Sequence, residues 1–434
     1  MPCWKDINPR VAASYDLFGN GRTALKVNVG RFVQADIYTM VRANNPVTRA
    51  ILSVNRTWTD SNGNFMPDCD LSNPAAQNLT AQGGDICGAI NNKNFGLNNP
   101  NAATYDPSVL TGFGARPYNW QQSVQIQHQL RRNIGLTAGY FRTSWGAIEQ
   151  TTNTLVGPGD FNSYCVTAPV NPQLPGGGGN QICGLYDSTL NTFGVSQTTV
   201  TRNPNLTEVY NGFDFGVDVR LPRGFSVNSG LNVGRTEYNN CALNNSPQTI
   251  FTLAGTWGAW TAGNAALAGA PAATGSTPGT VEPRTSAYCD VVPPWSADTQ
   301  FKLSGTIPLP YQFYAGVTYQ NLAGIPYYAS AVFTNAQIAP SLGRNLAAGA
   351  NSTVTVDLIP PMSQFEDRIQ QLDLRFAKTF RFNTTRVEPE FDIYNLANAS
   401  PILSVNSNYG TAAWRTPTQI LAGRLMKFGL KVTF

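Results

Sequence analysis

Between residues 60 and 70 the chain sets carboxylate or amide oxygens at alternating positions, on Asp60, Asn62, Asn64, Asp68 and Asp70. That is the donor set a hard cation such as calcium takes. The spacing follows the first half of an EF-hand loop, but the glycine falls at Gly63, ahead of the sixth position. Leu71 stands where a bidentate glutamate would close the loop. The competing reading is an Asx-rich turn, bonded to its own backbone and anchored by Cys69. Glu388 and Glu390 form a carboxylate pair of the kind acid–base catalysis uses. Two residues apart on a strand, they point the same way into a wide wet space, with no burial to shift a pKa. The single histidine, His128, also sits on a strand pattern, and the cysteines include no C-x-x-C pair, which argues against a zinc site. The run Gly176 to Gly179 lacks the lysine of a phosphate loop and reads as flexible loop. The expectation is a non-enzyme with no cofactor beyond a candidate structural calcium.

The elements that carry these residues alternate apolar and polar side chains with period two, in pairs joined by short turns. The first pair is 10–17 and 23–32, around Phe18-Gly19-Asn20-Gly21. The second sets Trp120, Val124, Ile126 and Leu130 against Gln121, Ser123, Gln125, Gln127 and Gln129, and returns through 134–142. The third runs from Phe213, Phe215, Val217, Val219 and Leu221 to Phe225, Val227, Leu231 and Val233. The fourth is 301–307 with 313–319, and the fifth 372–377 with 387–393. An eleventh strand, 420–434, ends on Phe428, Leu430, Val432 and Phe434, alternating with Lys427, Gly429, Lys431 and Thr433. Asp214, Asp218, Arg220, Asp373, Arg375, Glu388, Glu390 and Asp392 fall on the polar face. They would line a path through the molecule or pair with one another across strands.

Long polar connections, 33–118, 143–208, 237–300, 320–368 and 396–419, separate the pairs. Short turns at one end and long loops at the other is the asymmetry of an outer-membrane barrel. The aromatic-ended last strand matches the signal read by the barrel-assembly machinery. The expected fold is therefore all-β, a transmembrane antiparallel β-barrel with outer-membrane lipid as its surroundings. A passive porin-like or adhesive barrel is the alternative function, and an extracellular β-sandwich whose apolar faces meet each other is the alternative fold.

Composition agrees. Only 12% of residues are charged and the net charge is +4, with basic residues scattered, which excludes an electrostatic footprint for nucleic acid. No stretch approaches the twenty apolar residues of a membrane helix. Six of the seven cysteines fall in pairs within single loops, Cys69 with Cys87, Cys165 with Cys183 and Cys241 with Cys289. Same-loop disulfides are the economical pairing and imply an oxidising compartment. Each would stabilise its loop by about 3 kcal/mol. Cys3 is left over, and its partner is expected upstream. No export signal opens the chain, so it is expected to begin within a longer protein. Loop aromatics Trp257, Trp260, Tyr327 and Tyr328 would stack on a ligand or pack within the loops.

Several separated segments carry a resemblance: RTWTDSNGNFMPDCDL at 56–71, LPGGGG at 174–179, PSLGR at 340–344, DRIQQLDLR at 367–375 and RTPTQIL at 415–421. Together they resemble Oar-like TonB-dependent receptors, which carry a carboxypeptidase-regulatory-like domain. The resemblance implies a barrel of 22 strands, of which residues 1–434 look like the last eleven or so, in the cell outer membrane. It implies that the signal peptide, regulatory-like domain, plug and TonB box lie outside this sequence. The TonB complex would then be a partner only through that other part, and the whole would bind and translocate an unidentified substrate.

Overall fold

The computed structural model describes residues 3–34, 50–68, 71, 81–82, 85–97, 103–252, 280–410 and 412–434. Cys69, Asp70, Trp257 and Trp260 lie outside the described residues. The alternating segments form one antiparallel sheet, here called the wall. Its strands are β1 Arg10–Asp16, β2 Thr23–Val33, β3 Tyr118–Arg131, β4 Ile134–Gly146, β5 Thr207–Arg220, β6 Ser226–Asn239, β7 Gln300–Pro308, β8 Phe313–Leu322, β9 Ile369–Lys378, β10 Thr385–Tyr394 and β11 Leu425–Thr433. Phe380–Phe382 prolongs β9 in the same register against β10, and Asp290–Val291 adds a short pairing to β6. Each strand pairs with the next in chain order. Ten successive antiparallel pairings leave β1 and β11 running in the same direction. Among the described residues the two do not meet, and both are edges.

Register keeps one face apolar from edge to edge, because the period-two pattern aligns like residues across each pair. Tyr15, Leu25, Ile126, Ala138, Phe215 and Leu231 follow one another across β1 to β6. The same face carries Leu374, Phe376, Phe391 and Phe428 on β9 to β11. These side chains stand open to the surroundings, Val11 at 68%, Phe215 at 49% and Phe428 at 81% exposure. Among the described residues no second sheet covers them, contrary to a sandwich. On the opposite, inner face the ring of Tyr210 lies over Gly212 and Gly234, where a Cβ on either glycine would meet it. That close approach holds the β5–β6 register.

The last strand is shorter than the sequence pattern predicts. Pro417–Ile420 pairs with Ile402–Val405 in the loops, residues 421–424 leave the pattern, and the wall strand starts at Leu425. The N–H of Leu421 is taken by Pro401 O at 3.0 Å, which holds the chain away from β10 until that point.

The long connections are not plain polar linkers. Four of them, 143–208, 237–300, 320–368 and 396–419, share one hydrophobic core containing Tyr164, Leu185, Val281, Phe333, Ile338, Val356 and Ile359, with Val405, Tyr409 and Trp414 packed against it. This loop layer is framed by a hairpin of Phe161–Thr167 and Gln181–Ser188, and by Ser330–Thr334 paired with Thr353–Asp357. Helix α1, Asn335–Leu342, lies in the 320–368 connection, between those two paired strands. Thr334 and Gln337 cap its start reciprocally, and Gly343 ends it in the left-handed conformation.

Candidate functional site

The inner face of the wall gathers the polar side chains the alternation predicts, in two sectors. β3 contributes its row of amides, Gln121, Gln125, Gln127 and Gln129. Toward β9 and β10 the face becomes charged, because Arg375 stands directly opposite Asp392. Arg375 grips Asp392 with two bonds of 2.6 and 3.0 Å and reaches Glu390 at 3.4 Å. Arg386 pairs with Glu388, which also accepts the Thr379 hydroxyl at 2.9 Å. Asp373 accepts both bonds of the Gln371 amide at 3.0 Å and the Asn395 N–H at 2.8 Å. Asp218 holds Arg220 at 3.2 Å and accepts from Asn228, its cross-strand partner, at 3.3 Å. Asp214 accepts from Asn232 in the same way.

The sequence-predicted inner charges are thus brought together as cross-strand and same-strand pairs. They border two troughs on the inner face. One of about 520 Å³ runs past Asp218, Asn228, Thr318, Asp373 and Arg375. The other, of about 690 Å³, lies beside Gln127, Gln129, Arg132, Thr137 and Arg220 near the short turns. A face of this kind offers many weak hydrogen bonds to a passing polar solute. Glu388 and Glu390 are held by cations and carry no general acid or base geometry.

The other candidates fall elsewhere. His128 stays on the outer face, its Nδ1 2.9 Å from the Thr23 hydroxyl. In the 60–68 turn Asp60 accepts the N–H groups of Gly63 and Phe65 at 2.7 and 2.9 Å, and Asn64 accepts that of Met66 at 2.7 Å. The amides of Asn62 and Asn64 donate to Asp68. These are the contacts of an Asx-rich turn. Asp85, which the sequence reading did not single out, is its anchor. It accepts from the Trp58 indole at 2.8 Å, from Ser61 N–H at 3.0 Å and from Asp68 N–H at 2.9 Å. Those donors, the indole foremost, hold its carboxyl below the usual range. Among the described residues no group of three or more His, Cys, Asp or Glu side chains is placed to hold a metal ion.

Cys165 is bonded to Cys183, and Cys241 to Cys289. Cys87 is also disulfide-bonded, and the free thiol of Cys3 is exposed. Tyr327 packs into the loop core, and Tyr328 is largely enclosed, its hydroxyl against the Met362 sulfur. Three of the segments that carried the resemblance act as fasteners between loops. Ser341 accepts Cys165 N–H at 2.9 Å, and Arg344 pairs with Asp187 and donates to Ser188 O at 2.7 Å. Arg368 donates to Ser296 O at 3.1 Å and to the Asn321 side chain at 2.5 Å. Arg415 makes a bidentate pair with Glu366 at 3.0 and 3.1 Å beneath the Tyr327 ring.

No family model matches the sequence, and no curated protein matches it. Among solved structures the chain is similar to the outer membrane transporter YddB from Escherichia coli, at 12% identity and a TM-score of 0.43, over 98% of this chain and 40% of that one. It is similar to the copper transporter OprC at 10% identity and a TM-score of 0.37, over 98% of this chain and 39% of that one. It is also similar to the FrpB iron transporter from Neisseria meningitidis, F3-3 variant, at 8% identity and a TM-score of 0.37, over 98% and 38%. The chain spans about two fifths of the length of each of these. At such identities and scores the likeness assigns no function.

Proposed function

We propose that the chain is a membrane-spanning wall with its outer loops, part of a TonB-dependent receptor of the Oar-like type in the bacterial outer membrane, which binds a substrate through the loops and passes it along the inner face. One observation carries this reading: an apolar face, continuous over eleven strands and uncovered, backs a polar face of paired charges and amides. In water such a face is an aggregation hazard, whereas in lipid it is the stable arrangement, since the ladder satisfies the backbone of every inner strand. The short turns lie at the edge that also holds Phe434, and the loop layer lies at the other.

Strand parity supports a longer molecule. Because β1 and β11 run the same way, the wall cannot close on itself with antiparallel pairing throughout. Nor can it do so by joining a second copy related by rotation about the barrel axis. An odd number of further strands between the two edges restores antiparallel closure, and eleven more is the number the resemblance implies. The same longer molecule would hold the plug and the TonB box. Phe428, Leu430 and Val432, outward and exposed on β11, and the exposed Phe434 that follows it are the side chains offered to the barrel-assembly machinery.

Single cysteines at outer positions 217, 376 and 430, spin-labelled in bilayers, test the reading. Molecular oxygen dissolved in lipid should relax these labels, while labels at inner positions 127 and 318 should respond to a water-soluble nickel chelate. Equal access of the chelate to both sets would sink the membrane assignment. Uptake that continues without TonB would favour the passive barrel.

A further inference from the structure

Where the loop layer meets the wall, two polar groups on the wall side lack partners. Glu208 and Tyr238 stand opposite each other in register on β5 and β6. Glu208 is 5% exposed, and neither its Oε2 nor the Tyr238 hydroxyl, both enclosed, has a hydrogen-bond partner. Met362 and Phe365 of the loop layer pack with Tyr238 around Val291, so this is the seam between the two regions.

Across the seam lies Glu282, next to the Thr280–Val281 strand. It borders a cavity of about 30 Å³, closed by Asn240, Leu243, Asn244 and the Cys289 end of a disulfide. That is space for about one water beside a half-buried side chain, so an ionised carboxylate there is incompletely hydrated. The adjacent cation gives no relief, because Arg284 donates to the carbonyls of Leu243, Ser246 and Thr249. The titratable groups around Glu282 are Asp357, Tyr238, Tyr288 and Tyr328, with Glu208 beyond Tyr238. Burial first, and the charge of Asp357 second, push the Glu282 carboxyl up to about 8. Burial also lifts Asp357 to about 6, although the Ser330 hydroxyl donates to it at 2.6 Å. Tyr288 donates to the Asp357 carbonyl at 2.8 Å and holds that strand in place.

We propose that Glu208 and Glu282 beside Tyr238, with Asp357 next to Glu282, form a proton-controlled seam that holds the loop layer against the wall while the carboxyls are protonated and releases it as they ionise. When the seam opens, the loop carboxyls regain water and the ordinary glutamate value near 4.3. The closed form therefore binds more protons than the open one between about pH 5 and pH 8. Closure loses stability as pH rises through that window and becomes level above it. The direction is opposite to that of a salt-bridged carboxylate, whose support is lost on acidification.

Hydrogen–deuterium exchange on the full chain in lipid, corrected for intrinsic exchange rates, tests the seam. The opening constant of residues 280–291 and 353–366 should rise by up to about tenfold per pH unit between 5 and 8, and that of wall strand β3, 118–131, should not. Glu282→Gln should flatten the slope, and Asp357→Asn should reduce it. If Glu282→Gln does not fold, Glu208→Gln gives the same reading from the wall side. A wild-type slope of zero, or a full slope kept by a folded Gln variant, would overturn the proposal.

Discussion

Phe215 in the wall is 49% exposed, and Phe333, on a loop strand with the same alternating pattern, is 1% exposed. Both sit on period-two segments. In the wall the alternating apolar rows share one face, and among the described residues that face meets no other sheet. In the loop layer the apolar faces of two hairpins and a helix are turned on one another. Alternation therefore marks which side chains share a face, and the partner elements decide whether that face meets protein or its surroundings. Rigidity follows the same division. The wall is held by its backbone ladder, and the loop layer by a packed core, two disulfides and three arginine fasteners.

Truncation should break this comparison most sharply. Phe333→Ala is expected to destabilise the loop layer by about 3 to 5 kcal/mol, while Phe215→Ala in lipid should cost much less. Local opening read by hydrogen exchange separates the two, and equal costs would mean the wall is packed against protein. Opening the Cys241–Cys289 bond, whose ends are separated by 48 positions in sequence, is expected to cost about 4 kcal/mol in the loop layer, and opening Cys165–Cys183 about 3 kcal/mol. The β-sheet circular dichroism of the wall should persist after reduction. Next in size, Phe215→Arg is expected to cost about 2 to 4 kcal/mol in a bilayer and to be nearly neutral if the outer face meets water. Urea titration of folding into vesicles measures it. Arg375→Met removes the half-exposed cation from the buried carboxylate of Asp392 and should alter the ion selectivity of any conductance while the β-sheet circular dichroism is kept. The smallest effect is expected at the 60–68 turn. Its oxygens already accept backbone N–H groups, so calcium and a chelator should give the same melting temperature. A calcium-dependent rise would restore the cation reading.

The wall was legible because each strand is short, alternating and bounded by a turn: Phe213 to Leu221, then Pro222-Arg223-Gly224, needs nothing distant to be recognised. The last strand was legible by its alternation alone, except at residues 421–424, where an apolar Leu421 continues the pattern in sequence but bonds to Pro401 in space. The inner charges were read as pairs or as a path lining, and cross-strand register is what decides for pairing, since Arg375 meets Asp392 only once β9 and β10 are aligned. The loop core was not legible. Val281, Phe333 and Leu185 come from three connections, and no local period links them. The seam residues escaped for a related reason. Glu208 and Glu282 look like ordinary loop carboxylates until burial brings them together. The fasteners did leave a signal, since Arg344, Arg368 and Arg415 all lie in segments that stood out in the sequence.

The shared core of the loop layer also sets an order of events. Each wall strand contacts its neighbour in the chain, and half of those contacts close over turns of a few residues, so the wall can zip up hairpin by hairpin with little search. The core draws on residues from Tyr164 to Trp414. It cannot form until strands β5 to β10 have brought four loop roots to one rim. The loop layer is therefore expected to be the late, slow phase of folding, and mutations in it should speed unfolding while leaving the assembly rate of the wall unchanged.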